Sequence, residues 1–127
     1  MIRETLESGK IPLQDRSLFT CIAFDFAIKA MGGFNIWHES EMLFLSQGFL
    51  LPNIILFLDV SDENIQKRIG KEKNQILPVL IEPNFNLAFK NYFLNSVTEL
   101  VRLKTIDANQ NLNQVLLQAI RQIEAVI

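Results

Sequence analysis

Cysteine, histidine and surplus positive charge are all scarce in this sequence, and each shortage removes a class of function. Cys21 is the only cysteine among 127 residues, so no internal disulfide can form. It falls inside an apolar helical pattern, which predicts a small buried hydrophobe and not a nucleophile or ligand. The one histidine, His38, has Glu39 and Glu41 for company, and two donors a helical turn apart are too few for a metal site. No metal is expected, and a Ser-His-Asp triad is equally unsupported. Twelve Lys and Arg against fourteen Asp and Glu leave a formal charge of −2, which gives no basic footprint for nucleic acid or for an anionic membrane. No apolar run approaches the roughly 18 residues of a membrane span, and the N-terminus has no charged segment leading into an apolar core. The expectation is a soluble cytoplasmic protein without nucleic acid or membrane as partner. Repeats, low-complexity tracts and linkers are missing as well.

What is present is apolar. Hydrophobic residues make up 49% of the chain and aromatics 9%, which excludes disorder. A chain of 127 residues can bury a real core, so residues 1–127 are expected to form a single domain. Ile2 and Leu6 lie at helical spacing with Gly9 as a stop. Ile11 to Gln14 is a short strand candidate running into Asp15 and Arg16. Leu18, Ile22, Phe26 and Ala30 then recur every fourth residue as one helical face that Gly32 and Gly33 end. Asn35 caps a further predicted helix whose stripe includes Ile36, Trp37, Met42, Leu43 and Phe44, reaching to about Gly48.

The clearest strand is Ile54 to Asp59, whose unbroken hydrophobicity suits a parallel strand buried on both faces. Ser61 caps the helix that follows, with Asp62 and Glu63 in its first turn and Lys67, Arg68 and Gly70 at its end, the charge order that a helix dipole favours. Residues 71–83 read as an irregular connection. Phe85, Phe89, Tyr92, Phe93, Val97 and Leu100 trace a long helix, and Val101 to Ile106 a short strand ending in Asp107 and Ala108. Asn111 caps a final amphipathic helix. Strands separated by helices imply parallel pairing, and hence an α/β fold with a small parallel sheet flanked by helices.

Four segments, in serial order, resemble the second half of thymidylate kinase. They are Gly-Lys-Ile-Pro-Leu-Gln-Asp-Arg at 9–16, Leu-Pro-Asn-Ile-Ile-Leu-Phe-Leu-Asp-Val at 51–60, Lys67-Arg68, and Thr-Ile-Asp-Ala at 105–108 with the helix behind it. No one of them is specific, but their order and spacing extend over nearly the whole chain. The resemblance implies a truncated P-loop-kinase-like fold with nucleotide sites at the carboxyl ends of its strands. It implies also that the family's first strand lies between the segments corresponding to 11–14 and 54–59. Without that neighbour, either the two strands pair directly or another chain fills the slot.

Candidate site residues follow from the same resemblance. Asp15-Arg16 matches the pair that faces the monophosphate substrate, Arg16 as a bidentate phosphate clamp and Asp15 orienting it or a magnesium shell. A surface ion pair at a strand end is the alternative. Thr20 and Phe24 fall where the family commonly has a small hydroxyl residue and a tyrosine near the nucleoside, and Asp25 where a glutamine often follows. Phe24 and Asp25 depart from that pattern, and a core Phe24 with a solvated Asp25 explains them without a ligand. Asn109 and Gln110 resemble the segment bordering the adenine, although turn formation and capping account for them too.

Two family features are not matched. No Gly-x-x-x-x-Gly-Lys-Ser/Thr string, which cradles donor phosphates, occurs in these 127 residues. Nor does an arginine occur between Lys71 and Phe93, where a lid would carry one; Lys71, Lys73 and Lys90 are either incomplete substitutes or solvated loop charges. The expectation is a thymidylate-kinase-like protein, inactive as an isolated chain in the reaction of ATP with dTMP. The alternatives are a non-catalytic dimeric or nucleotide-sensing subunit, or one half of a split kinase. No cofactor is expected to be retained; ATP and Mg²⁺ are implied only where a separately encoded P-loop half supplies their site. A homodimer and a dTMP ligand are the further partners implied.

Overall fold

A computed structural model of the chain describes residues 2–33, 50–70, 80 and 82–127. The expected helix after Asn35, with Trp37, Phe44, His38, Glu39 and Glu41, lies outside the described residues, as do Lys71 and Lys73. The described elements run α1 (Ile2–Glu7), α2 (Leu18–Ala30), β1 (Ile55–Asp59), α3 (Asp62–Ile69), α4 (Pro83–Asn95), a 3-10 turn (Val97–Glu99), β2 (Leu103–Asp107) and α5 (Leu112–Glu124). The result is the expected small α/β arrangement. β1 and β2 pair in parallel with Ile55 opposite Leu103 and Asp59 opposite Asp107.

Local chemistry explains most element boundaries. The Ser17 hydroxyl accepts from Phe19 N, and Ser17 N donates to Thr20 Oγ1, so a capping box starts α2. Ser61 Oγ accepts from Asn64 N at the start of α3, and Asn111 Oδ1 accepts from Gln114 N at the start of α5. Gly70, with φ of 43°, closes α3 in a conformation that a side chain would resist. Pro83 starts α4 instead of ending a loop, because its missing N–H is one that a first helical turn leaves unbonded anyway. The helix expected to run from Phe85 to Leu100 stops at Asn95 and tightens into the 3-10 turn, where Thr98 Oγ1 donates back to Leu94 O.

Among the described residues the main core cluster is Phe19, Ile22, Ala23, Tyr92, Phe93, Val97 and Val101, against which Ile55, Phe57 and Leu103 of the sheet pack, and Phe85 and Ile106 are buried as well. Phe57 is the link between layers. Its ring centroid lies 5.2 Å from that of Phe93 and 6.4 Å from that of Phe89, and Phe89 and Phe93 are themselves 5.3 Å apart. Such ring pairs add to the burial energy when they tilt as these do.

Several expectations are corrected. The buried face of α2 is Phe19, Ile22, Ala23 and Ala27, not Leu18, Ile22, Phe26 and Ala30. A spacing of four residues drifts by about 40° per step on a helix of about 3.6 residues per turn, so the ends of the expected stripe rotate out of the core. Cys21 is exposed and not buried, because it projects away from that corrected face. Asp25 is buried and not solvated. Ile11 to Gln14 forms no strand. Pro12 offers no N–H, Ile11 and Leu13 are exposed, and the stretch has no ladder partner among the described residues. Direct pairing of this segment with β1 is thus not the outcome. β1 is not buried on both faces either, since Leu58 is 54% exposed. Finally, α5 buries no side chain fully; Leu112, Leu116, Leu117 and Ile120 stay exposed.

Phe85 is fully buried, so Phe85→Ala should cost about 3–5 kcal/mol in urea unfolding. Leu112→Ala, at a site 79% exposed, should change stability by less than about 0.5 kcal/mol. Equal losses at the two sites would show that the core is not where these contacts place it.

Candidate functional site

A cleft of about 1100 Å³ opens between the 10–17 segment and β1. Each side is set by an element already described. Lys10 to Ser17 and Thr20 form one wall, the chain from Leu50 to Asp62 the other, and Phe89, Lys90 and Phe93 of α4 project into it with Asn109. Its charged residues are Lys10, Arg16 and Lys90 against Asp15, Asp59 and Asp62.

At the carboxyl end of β1, Asp59 Oδ2 lies 2.5 Å from Lys90 Nζ. Both side chains are about one-third exposed, which makes this the better protected of the two ion pairs seen among the described residues; Lys67 and Glu63 pair at 3.2 Å in full view of solvent. Lys90 is therefore no solvated loop charge. It stands beside Phe89 on α4, and the packing of Phe89 and Phe93 on Phe57 brings that helix to the end of β1.

The structure brings Asp15, Arg16 and Thr20 into this same cleft. Arg16 has φ of 65°, the one positive value on a residue other than glycine among those described. That left-handed conformation costs about 1–2 kcal/mol on an ordinary residue. It turns the extended segment into α2 and leaves both Asp15 and Arg16 exposed. The two form no ion pair with each other among the described residues, so a strand-end ion pair does not account for them. Among the described residues Arg16 has no carboxylate partner, and a fork so placed is suited to planar, bidentate recognition of a phosphate. Thr20 Oγ1 already accepts from Ser17 N, so its hydroxyl is engaged in starting α2.

The other sequence-derived residues lie elsewhere. Phe24 does not line the cleft; its ring stands edge-on to Phe85 at 5.2 Å. Asn109 reaches the cleft but its amide is occupied. Oδ1 accepts from Ser61 N and Asn64 Nδ2, and Nδ2 and the backbone N both donate to Asp107 Oδ1. Asn109 thereby ties the end of β2 to the start of α3. Arg68 adds a second tie by donating to Ala108 O at 2.5 Å. Gln110 lies outside the cleft with a buried Nε2 that meets no acceptor among the described residues. No group of three or more His, Cys, Asp or Glu among those residues is placed to hold a metal, and none of their helices is long and apolar enough to cross a membrane. Sequence reasoning did not single out Asp59, and it weighed Lys90 only as an incomplete lid substitute or a solvated charge, without its pairing to Asp59. The available signal was the strand-terminal Asp itself, since open parallel sheets place ligands at that end.

Charged groups gathered at the carboxyl end of a parallel strand are the arrangement by which open α/β proteins bind ligands. Among known proteins, the particular likeness is to thymidylate kinases. The chain is 30% identical to the thymidylate kinase of Tropheryma whipplei (strain Twist) over 121 residues, covering 94% of this chain and 57% of that protein. It is 33% identical to the thymidylate kinase of Protochlamydia amoebophila over 133 residues, with 98% and 57% covered. For the thymidylate kinase of Leuconostoc mesenteroides the values are 28% over 118 residues, with 91% and 54% covered. The chain thus spans just over half the length of these relatives, consistent with their C-terminal portion. No protein-family model matches it.

A double-mutant cycle of Asp59→Asn and Lys90→Met should give a coupling energy of about 1 kcal/mol in equilibrium unfolding, as for a partly exposed ion pair. Additive effects would mean that the two charges do not interact in solution.

Proposed function

We propose that these 127 residues form the acceptor side of a thymidylate-kinase-like phosphotransferase. Arg16 grips the phosphate of a nucleoside monophosphate, dTMP by analogy with the relatives, and Asp15 lines the same cleft. The observation that carries this reading is Arg16 itself: a strained backbone holds in the cleft a guanidinium with no carboxylate partner among the described residues, whereas Lys90 in the same cleft is neutralised by Asp59. Strain of this kind persists where the surrounding structure imposes it, and it concentrates at ligand clamps. Thr20 and Asn109 contribute by shaping the walls, since their polar groups are engaged in caps and ties.

In this proposal the chain does not transfer a phosphoryl group alone. Phosphoryl transfer is catalysed almost entirely by positioning and electrostatic stabilisation of the transferred group. A phosphate-cradling loop with its lysine is not among these residues, and no arginine occupies 71–93. ATP with Mg²⁺ enters only with a donor-phosphate segment supplied from outside them, such as a separately encoded P-loop half. The active assembly is taken to be a homodimer. A second reading, a non-catalytic or nucleotide-sensing subunit that serves by association, is favoured by the apolar residues that α5 leaves exposed.

Calorimetric titration separates the readings. The chain should bind dTMP and not ATP, and Arg16→Ala should weaken dTMP binding by about tenfold to a hundredfold, the loss of a charge-assisted bidentate contact. Indifference to both nucleotides would leave the association reading. ADP formation that depends on dTMP, from this chain alone, would overturn the proposed incompetence.

A further inference from the structure

Lys90 and Asp59 face each other from backbones that are anchored separately. Phe89 and Phe93, on either side of Lys90 in the chain, pack on Phe57 and set that turn of α4 against β1. Asp59 is held by the sheet, where its carbonyl accepts from Ala108 N and it stands opposite Asp107. Neither backbone has to move for the two side chains to part. A lysine ammonium carries three donors on a flexible stem, so it can turn to another acceptor where it stands.

The bond between them is open to competition. The two side chains are 34% and 32% exposed, so small ions entering the cleft reach the pair, and ion pairs at such exposure are weak. A phosphate group brings about two negative charges and three acceptor oxygens, against the single charge of a carboxylate. It is the stronger partner for the same ammonium. The place suits it too, because open parallel sheets receive ligands at the carboxyl ends of their strands, and Asp59 ends β1. The backbone N–H groups of Ser61 and Asn64, at the start of α3, do not compete for it. They are already donated to Asn109 Oδ1 and Ser61 Oγ.

We infer that Asp59 is a built-in counterion that closes an anion position at Lys90, and that a phosphate dianion opens this position by taking the place of Asp59. The ligand class is a phosphate group, carried either by free inorganic phosphate or by a nucleotide. A carboxylate ligand gains no such advantage, since it offers Lys90 only what Asp59 already gives. The position shares the cleft with Arg16 but not the grip on dTMP, so the inference does not rest on the function proposed above.

Carbon NMR of the side-chain carboxyls in the whole chain tests this, with inorganic phosphate as the probe and sodium chloride at matched ionic strength as control. Phosphate should move the Asp59 carboxyl resonance to the position it has in Lys90→Met, and chloride should not. The shift should persist in Arg16→Ala. Calorimetry in that Arg16→Ala background gives a second measure. There Asp59→Asn should tighten inorganic phosphate by about twofold to fivefold, the competition a partly exposed pair exerts, and adding Lys90→Met should remove the gain. An Asp59 resonance unmoved by phosphate would overturn the inference, and so would an equal shift with chloride, which is screening alone. Loss of the shift in Arg16→Ala would overturn it too, while leaving the grip at Arg16 standing. Failure of dTMP to bind, with the phosphate shift intact, would sink the grip and not the counterion. A titration with dTMP then identifies the source: a shift with both probes makes a nucleotide phosphate a ligand of Lys90, and a shift with inorganic phosphate alone assigns the position to the free ion.

Discussion

The packing of Phe57 against Phe89 and Phe93 is the interaction on which the remaining structure depends. A two-stranded parallel sheet has little stability of its own, and parallel strands are normally covered by helices. Here the cover comes from α4, and α2 packs behind it through Phe19, Ile22 and Ala23. Fix Phe57 on α4 and several consequences follow. β1 is held in register with β2, Lys90 comes within reach of Asp59, and the loops after both strands meet, where Arg68 and Asn109 bind them together.

That anchoring acts on one side only. The apolar contacts of β1 lie toward α4 and β2, whereas Leu58 and the 11–14 segment face an open cleft. Burial works against leaving peptide groups unpaired, and the 10–17 segment meets this constraint by remaining solvated and not by forming a ladder. The strain at Arg16 belongs to the same balance. The capping box at Ser17 and Thr20 fixes where α2 begins, so the chain has to turn sharply just before it, and Arg16 takes the left-handed conformation.

Legibility in the sequence followed the range of the interactions. Elements set by local chemistry were readable: Ser61 and Asn111 as caps, Gly70 as a stop, and the apolar run closed by Asp59 as a parallel strand. Features requiring a partner distant in the chain were not. Ile11 to Gln14 has strand-like residues but no neighbour to pair with, and Lys90 looks like a loop charge until Phe89 and Phe93 pack on Phe57. Asp25 and Cys21 exchanged their expected environments for a simpler reason. The stripe on α2 was read with a period of four, and the true face is rotated from it. For the site, Asp15, Arg16 and Thr20 share one cleft, whereas Phe24 and Gln110 lie outside it.

The electrostatics of the cleft bear on what it can do. Among the described residues three cations line it against three carboxylates, which gives it no strong net attraction for an anion. Discrimination must then come from which charges are free. The carboxylate of Asp59 is held by Lys90 in a partly exposed pair. Lys10 and Arg16 remain, and only Arg16 has a fork that matches two phosphate oxygens at once. A single such contact can hold a monophosphate group in place. It cannot balance the charge of a triphosphate together with that of a transferring phosphoryl group, which needs several donors converging on the reacting oxygens. On the proposed reading the cleft beside β1 takes an acceptor phosphate, and the donor's charge is met by other groups.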